Sequence, residues 1–488
     1  MATEIVIGLD VGTQSSKLVT VSADGHILAE ERIAHGVSRP KPGYFEQDAE
    51  AVWWRDVVAL LSRIAARPDL TPRALAVSGI GPTALPTRED GTPLRPGILY
   101  GIDTRAQAET AALEARLGRE ATVEICGSAL SSQSPVPKLL WLKAHEPEVF
   151  RAMRRWFTAH AWLAYRLTGA YAVDHHSASQ FVPLYDVAAA RWRDDLWREL
   201  LPRIETPALA WPGESIGTIT VEASAATGLA VGLPVVMGTI DAWAEAYSAF
   251  ADAPGTGMIM YGSTYFFVAN SDSFVASERF WGTRSVRRNT FSLAGGMATG
   301  GLVLNWLARL FATDVTDVLA RALAGRDDVA PIIATPYLAG ERTPFSDPNA
   351  RGVLFGMDLD TDADQMCRAF VLGLALAVRD NLHAMHEEIG GGRDYMAVGG
   401  GAESMALLQL ISDVAGVTQS APRRTIGAAL GDARLAAEAI GWEVSAEAWN
   451  PIERIIRPAV AASAYDAMFA RFKELYRATK RLAPPGER

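Results

Sequence analysis

The chain has 488 residues, 49% hydrophobic and 21% charged, with a formal net charge of −10. One hydrophobic core does not serve that length, so two domains are the default. The acidic balance lacks the clustered basic footprint of a nucleic-acid surface, and no uncharged apolar run of about 18 residues marks a membrane span.

A phosphate ligand is not excluded by the charge, because a nest of backbone N–H groups holds phosphate in an acidic protein too. Cys126 and Cys367 stand far apart at no metal or redox spacing and read as buried small hydrophobes. Met1-Ala2-Thr3-Glu4 enters an apolar run at once, without the basic leader of a signal peptide. The expectation is a cytoplasmic protein.

Ile5 to Leu9 reads as a buried strand, Asp10 to Ser16 as a polar turn, and Lys17 to Val21 as a second strand. Ile27 to Ile33 is a third strand. A helix follows with Asp48 as N-cap and Trp53, Val57, Leu60, Leu61 and Ile64 at helical spacing. Ala74 to Ile80 returns as a strand. Leu233 to Met237 is a strand, Ala242 to Phe250 a helix, and Ala253-Pro254-Gly255 a break. The domain boundary is placed there, giving lobes 1–250 and 251–488. Met258 to Tyr261, Gly262-Ser263-Thr264 and Tyr265 to Val268 repeat the opening hairpin, the pattern of an internal duplication. Tyr395 to Val398 is a strand, Gly399-Gly400-Gly401 a junction, and the helix after it carries Leu407, Leu408, Ile411 and Val414, with Gly416 as its C-cap. Helical spacing resumes beyond Pro458, and Pro484-Pro485-Gly486 ends the chain as a frayed tail.

Four segments can carry chemistry, and each also has a plain structural reading. Gly12 in a tight turn lets N–H groups face an anion, with Thr13, Ser15 and Ser16 hydroxyls nearby and Asp10 placed for Mg2+; the same residues make an ordinary hairpin turn. Gly262, Ser263 and Thr264 form its counterpart. Gly399 to Ala402 between a strand and a helix permits close approach of a nucleotide, yet it is neither a Walker loop nor a dinucleotide fingerprint. Asp241, after a strand and opening a helix, can accept a proton from an alcohol attacking phosphorus, or can simply cap the helix. His175-His176 has no third ligand at metal spacing.

Together these segments resemble the FGGY carbohydrate kinases, and within them the xylulose kinases, nearly end to end. The resemblance is carried by Asp10-Val11-Gly12-Thr13 with Lys17, and by Phe45-Glu46-Gln47-Asp48 with Trp53-Trp54. Pro137 to Trp141 with His145-Glu146-Pro147, Pro336 to Pro344, Gly352 to Gly356, and Gly399 to Ala402 with Ser404 complete it. It implies an α/β fold of two ribonuclease-H-like lobes of the actin and sugar-kinase superfamily, with an ATP and sugar cleft. It implies ATP-dependent phosphorylation of a hydroxyl of a small sugar or polyol. By this likeness Asp241 is the catalytic base, and Asp10 serves Mg2+. Gly12, Thr13, Gly262, Ser263, Thr264, Gly400, Gly401, Ala402 and Ser404 serve ATP, and Pro82, Thr83, Tyr100, Asp103 and Asp241 face the acceptor. A homodimer is compatible with the family.

The chain departs from the xylulose-kinase pattern at the acceptor. Gly81-Pro82-Thr83-Ala84 stands where Gln-Met-His-Gly is usual, Ala242 where Asn or Gln follows the base, and Gly101-Ile102-Asp103-Thr104-Arg105 where Trp-Asn-Asp-x-Arg is usual. A site that loses polar partners loses discrimination for hydroxyls. Ribulose, erythritol and glycerol are therefore alternative acceptors. A non-catalytic nucleotide-dependent sugar sensor, or a hydrolase, is the reading from other classes.

Overall fold

The computed structural model describes residues 2–324, 332–390, 392 and 394–482. Pro484-Pro485-Gly486 lies outside them. The described residues form two compact units. The first draws on Met1–Ala253, Asp272–Ser292 and Ile426–Pro451, the second on Pro254–Ser271, Leu293–Thr425 and Ile452–Arg488.

The first unit is built on strands β1 (Thr3–Val11), β2 (Ser15–Ser22) and β3 (Ile27–Ala34), helix α1 (Arg55–Ala65) and β4 (Leu70–Gly79). It continues with helix α2 (Ala159–Thr168), β5 (Ser215–Thr218), β6 (Pro234–Ile240) and α3 (Asp241–Ser248). The sheet runs β5-β6-β4-β1-β2-β3. β1 pairs antiparallel with β2 and parallel with β4, and β4 pairs parallel with β6. β1 and β4 are buried on both faces, which is why they read as unbroken apolar runs rather than alternating ones.

Asp48 caps the first helix as expected, accepting from Ala51 N–H at 2.8 Å. The opening turn, Ala49–Trp54, is a wider π-type turn rather than the α-helix that the spacing predicts. In it Trp53 is buried with its indole N–H on Gln47 Oε1 at 2.8 Å.

The second unit repeats the plan. Its strands are β7 (Thr256–Tyr261), β8 (Tyr265–Ser271) and β9 (Phe291–Met297), followed by helix α4 (Gly301–Leu310) and α5 (Ala363–Ile389). Then come β10 (Asp394–Val398), α6 (Met405–Ala415) and β11 (Thr418–Pro422). Six strands lie in the order β9-β8-β7-β10-β11, then β12 (Ile452–Ile456). As in the first unit, the leading strand is antiparallel to the second and parallel to the fourth. The duplication suggested by two similar turns is thus a duplication of topology. α5 begins with a capping box of Asp362 and Gln365 and ends on Gly390 in the left-handed region.

Helix α7 (Ala428–Ala439) returns to the first unit and is buried along most of its length. It lies so close to β1 and α3 that only glycine fits at two contacts. A Cβ on Gly8 would stand 1.8 Å from the Ala429 carbonyl oxygen, and one on Gly431 would stand 1.9 Å from the Ala244 carbonyl oxygen. The single change Gly431→Ala should therefore separate α7 from α3. The expected cost is about 1–3 kcal/mol of overpacking, read as a lower melting temperature of the purified protein. An unchanged melting temperature would show that this contact is looser than drawn.

Candidate active site

The parallel pairing brings the C-terminal ends of β1, β4 and β6 to one edge of the first sheet, where open α/β sheets bind their ligands. Asp10 stands at the end of β1, Ser78 beside it on β4, and Asp241 immediately after β6. Asp10 also faces Lys17 across the β1–β2 pair. The β4–β6 ladder is interrupted between Met237 and Ile240. Gly238 makes this possible, since a Cβ there would stand 2.0 Å from the Val77 carbonyl oxygen. At the interruption Ser78 N–H donates to the side chain of Asp432, reaching in from α7, at 3.0 Å. Ser78 Oγ in turn donates to Asp10 Oδ1 at 3.3 Å. Thr239, within the same bulge, is anchored by its hydroxyl on Asp174 at 2.9 Å.

Asp241 is partly buried and does not cap its helix in the usual way. Its Oδ1 accepts from the N–H of its neighbour Ala242 at 2.8 Å, and the cap position, Ile240, offers no side-chain bond. Oδ2 has no partner among the described residues. Four acids share this neighbourhood with one lysine. Burial first, then the charge of Asp10, pushes the Asp241 carboxyl far above its usual range. Burial likewise raises Asp10, with Lys17 opposing it. Glu245, one helical turn beyond Asp241, is pushed up to about 7 by burial. Asp432 is raised well above the ordinary value by burial, and its buried Oδ1 has no partner among the described residues.

The acceptor candidates occupy the same unit. Pro82 follows a cis peptide bond. Thr83 is fully buried, and its Oγ1 has no hydrogen-bond partner among the described residues. The Tyr100 hydroxyl lies 3.4 Å from Thr13 Oγ1. Asp103 is fully buried beneath this loop, with its carboxylate occupied by Phe45 N–H at 2.7 Å and by Arg105 Nη2 at 2.8 Å. Lys138, 1% exposed, donates to the carbonyls of Leu99, Tyr100 and Ser132 at 2.6, 3.0 and 2.7 Å, and burial lowers its ammonium to about 7. A cavity of about 580 Å³, lined in part by Thr13, Gln14, His35, Phe45 and Ile102, opens beside the first turn.

Gly262, Ser263, Thr264, Gly400, Gly401, Ala402 and Ser404 belong to the second unit. There Gly399, with φ of +84°, and Gly401 lie against Tyr261, so the glycine junction packs on the strand end that leads into Gly262-Ser263-Thr264. Ser404 is the N-cap of α6, accepting from Leu407 N–H at 3.3 Å. His175 and His176 are buried in the first unit. His175 Nδ1 lies 2.6 Å from the Tyr185 hydroxyl, and His176 stacks on Trp243 at 3.8 Å. Burial lowers both to about 4.

Sequence reasoning missed Glu245, Asp432 and Ser78. Glu245 was discoverable, being four residues after Asp241 on one helix face. Asp432 lies more than 400 residues from Asp10 in the chain, and only the fold brings it close.

The sequence model of the FGGY family of carbohydrate kinases, N-terminal domain, matches residues 5–247, and that of the C-terminal domain matches residues 257–440. The chain belongs to the FGGY family of carbohydrate kinases. It is 31% identical over 443 residues to the xylulose kinase of Escherichia coli (strain K12), covering 88% of this chain and 89% of that one. It is 28% identical over 497 residues to the glycerol kinase of Dechloromonas aromatica (strain RCB), covering 96% of each. The crystal structure of xylulose kinase from Rhodospirillum rubrum superposes with a TM-score of 0.91 at 28% identity, covering 98% of this chain and 99% of that one. The protein is an ATP-dependent carbohydrate kinase that phosphorylates an alcohol group of a small sugar or polyol. Among the described residues, no helix is long and apolar enough to cross a membrane.

The raised carboxyls make ligand-free stability depend on pH. Between the ordinary carboxyl value near 4 and the raised values (Glu245 about 7, Asp241 also raised) the folded chain holds protons that the unfolded chain releases. Stability from these groups is complete below the lower limit and is lost as pH rises through the upper one. Asp241→Asn removes one such group. Its melting temperature should exceed that of the wild type at pH 8 by several degrees, about 2–4 °C for each kcal/mol relieved, and the gap should close by pH 4. Parallel melting curves across that range would overturn the charge assignment.

Proposed function

We propose that Asp241 is the general base of the phosphoryl transfer and that the acceptor is a small ketose of the xylulose class. The observation that carries the assignment of the base is the half-satisfied carboxylate. Oδ1 is fixed by Ala242 N–H, and Oδ2 has no partner among the described residues. In this reading the acceptor O–H bond breaks with its proton passing to Oδ2 of Asp241. The acceptor oxygen bonds to the γ-phosphorus, the bond from that phosphorus to the bridging oxygen breaks, and ADP leaves. Positioning and charge stabilisation supply most of the acceleration in such chemistry. Thr83 Oγ1 and the Tyr100 hydroxyl are the polar groups offered to the acceptor. Ile102 and Ala242 stand where polar side chains are usual in the xylulose kinases, and Pro82 stands where Met is usual.

The donor set fits a divalent cation at Asp10. Burial raises the proton affinity of Asp10, Asp241, Glu245 and Asp432, the charge of Asp10 adds to it at the other three, and Lys17 opposes it at Asp10, Asp241 and Glu245. No cluster of three or more acidic, His or Cys side chains forms a metal cage among the described residues. That suits Mg2+, which keeps waters and takes one or two carboxylates plus phosphate oxygens. Bound there, the ion would offset charge on the phosphoryl oxygens, with Asp10 as its protein ligand. In the second unit, Gly262 to Thr264 would hold phosphate, and the junction Gly400 to Ala402 with Ser404 the adenosine. ATP as co-substrate supports a cytoplasmic place of action.

A second reading, a polyol acceptor, is favoured by the apolar replacements and by the similarity to glycerol kinases. ADP release with Mg–ATP across xylulose, ribulose, erythritol and glycerol decides between them. At least tenfold higher kcat/KM for xylulose than for glycerol supports the first, and the reverse order the second. Asp241→Asn should lower kcat about 10²–10⁴-fold on the best acceptor, the usual worth of a general base. A variant with the full rate would remove Asp241 from that role.

A further inference from the structure

The two related turns share a feature beyond their sequences. In the first, the Gly12 carbonyl accepts from His35 Nε2 at 2.9 Å, and the Thr13 carbonyl accepts from Gln47 Nε2 at 2.9 Å. The next carbonyl, of Gln14, accepts from His35 N–H at 2.9 Å. A trans peptide points its C=O and N–H in opposite directions. Anchoring the Gly12 and Thr13 carbonyls on His35 and Gln47 therefore turns the N–H groups of Thr13 and Gln14 away from those side chains. Among the described residues, neither N–H finds an acceptor within the protein.

The second turn repeats this with other means. The Gly262 carbonyl accepts from Gly301 N–H, and the Ser263 carbonyl accepts from Gly300 and Leu302 N–H, each at 3.0 Å. Gly301 permits the approach, since a Cβ on it would stand 2.8 Å from the Gly262 oxygen. The N–H groups of Ser263 and Thr264 are likewise without an acceptor among the described residues. Successive free N–H groups form an anion-binding nest. In the second unit the peptide planes are set by the first N–H groups of a helix. In the first unit two side chains do it.

Those side chains are themselves fixed. His35 is held between two acceptors, the Gly12 carbonyl and Asp56 Oδ2 at 2.8 Å. Asp56 is fully buried and also accepts from Ser16 Oγ at 3.0 Å and from Arg55. Gln47 is 2% exposed, and its Oε1 is taken by the Trp53 indole N–H.

We propose that His35 and Gln47 are positioning residues that orient the peptide planes of the first turn, presenting the N–H groups of Thr13 and Gln14 to the phosphoryl group being transferred. Neither side chain touches a reacting atom. The proposal rests on the reading of Gly12-Thr13 as a phosphate site, and the test separates the two.

Gln47→Met and His35→Phe each remove the donor while keeping side-chain length or ring. In the full-length enzyme, kcat/KM for ATP should fall about 10–100-fold in each, the worth of one or two hydrogen bonds to a charged group. KM for the acceptor should stay within twofold, a split that general loosening of the fold would not produce. Hydrogen exchange adds a second measurement. A non-hydrolysable ATP analogue should slow exchange in the 10–17 peptide of the wild type, and this protection should be lost in both variants while persisting in the 258–266 peptide. Thr13→Pro deletes the Thr13 N–H itself. If Thr13→Pro leaves kcat/KM for ATP unchanged, the phosphate-site reading fails. If Thr13→Pro loses it while both other variants stay within twofold of the wild type, the positioning role alone is overturned. Should His35→Phe not fold, Gln47→Met decides.

Discussion

Negative charge gathered at the ends of β1 and β6 is the constraint around which the first unit is arranged. Asp10 and Asp432 are buried, Asp241 and Glu245 partly so, and Lys17 acts against Asp10, Asp241 and Glu245, joined at Asp10 by His35. A buried carboxylate without a partner costs free energy unless it is neutralised or paired. Here the cost is contained by protonation, which the raised proton affinities express. The same arrangement creates a demand for positive charge that ligand binding can meet. Such stored electrostatic cost is tolerable because the surrounding packing is dense. Gly8 and Gly431 let α7 sit directly on β1 and α3.

Asp241, the proposed base, is placed by a defect in the sheet. A regular β4–β6 ladder would continue past Met237, and Asp241 would then emerge elsewhere along the edge. The interruption at Gly238-Thr239 leaves Ser78 N–H without a strand partner, and Asp432 from a distant helix supplies one. Asp174 supplies another anchor through Thr239. Its carboxyl, despite burial, is held down at about 2 by His160 and the other donors around it. Two buried carboxylates, far apart in the sequence, thus hold one bulge. This is the usual logic of a strained functional site, where local irregularity persists because its surroundings overdetermine it.

Much of this was legible from the sequence, for identifiable reasons. Strands buried on both faces announce themselves as apolar runs, so β1, β4, β6, β7 and β10 were placed close to where they lie. Gly416 and Asp48 acted as the caps their residue types suggest. Asp241 was noticed because the end of a strand and the start of a helix meet there. What escaped was long-range. The helix Ala428–Ala439 looks like any apolar helix, and nothing local says that it packs in the first unit or that Asp432 faces Ser78. The π-type turn at Ala49–Trp54 escaped because periodicity cannot distinguish it from an α-helical turn over six residues. The contacts of His35 escaped because a lone histidine after a strand carries no motif.

The duplicated turns bear on how such a site could diverge. In the second unit the peptide planes depend on backbone N–H groups and on Gly301, so most side-chain changes there leave the nest alone. In the first unit they depend on His35 and Gln47, which are in turn held by Asp56 and Trp53. Substitution at any of these four would reach the proposed phosphate site without touching it. The acceptor side shows the opposite freedom. Pro82, Ile102 and Ala242 depart from the usual pattern, while Lys138 and Arg105 keep the underlying loop pinned through carbonyls and buried carboxylates. On the proposed roles, acceptor preference can drift by changing side chains on a fixed loop, whereas the first turn changes its N–H directions only when the residues beneath it do.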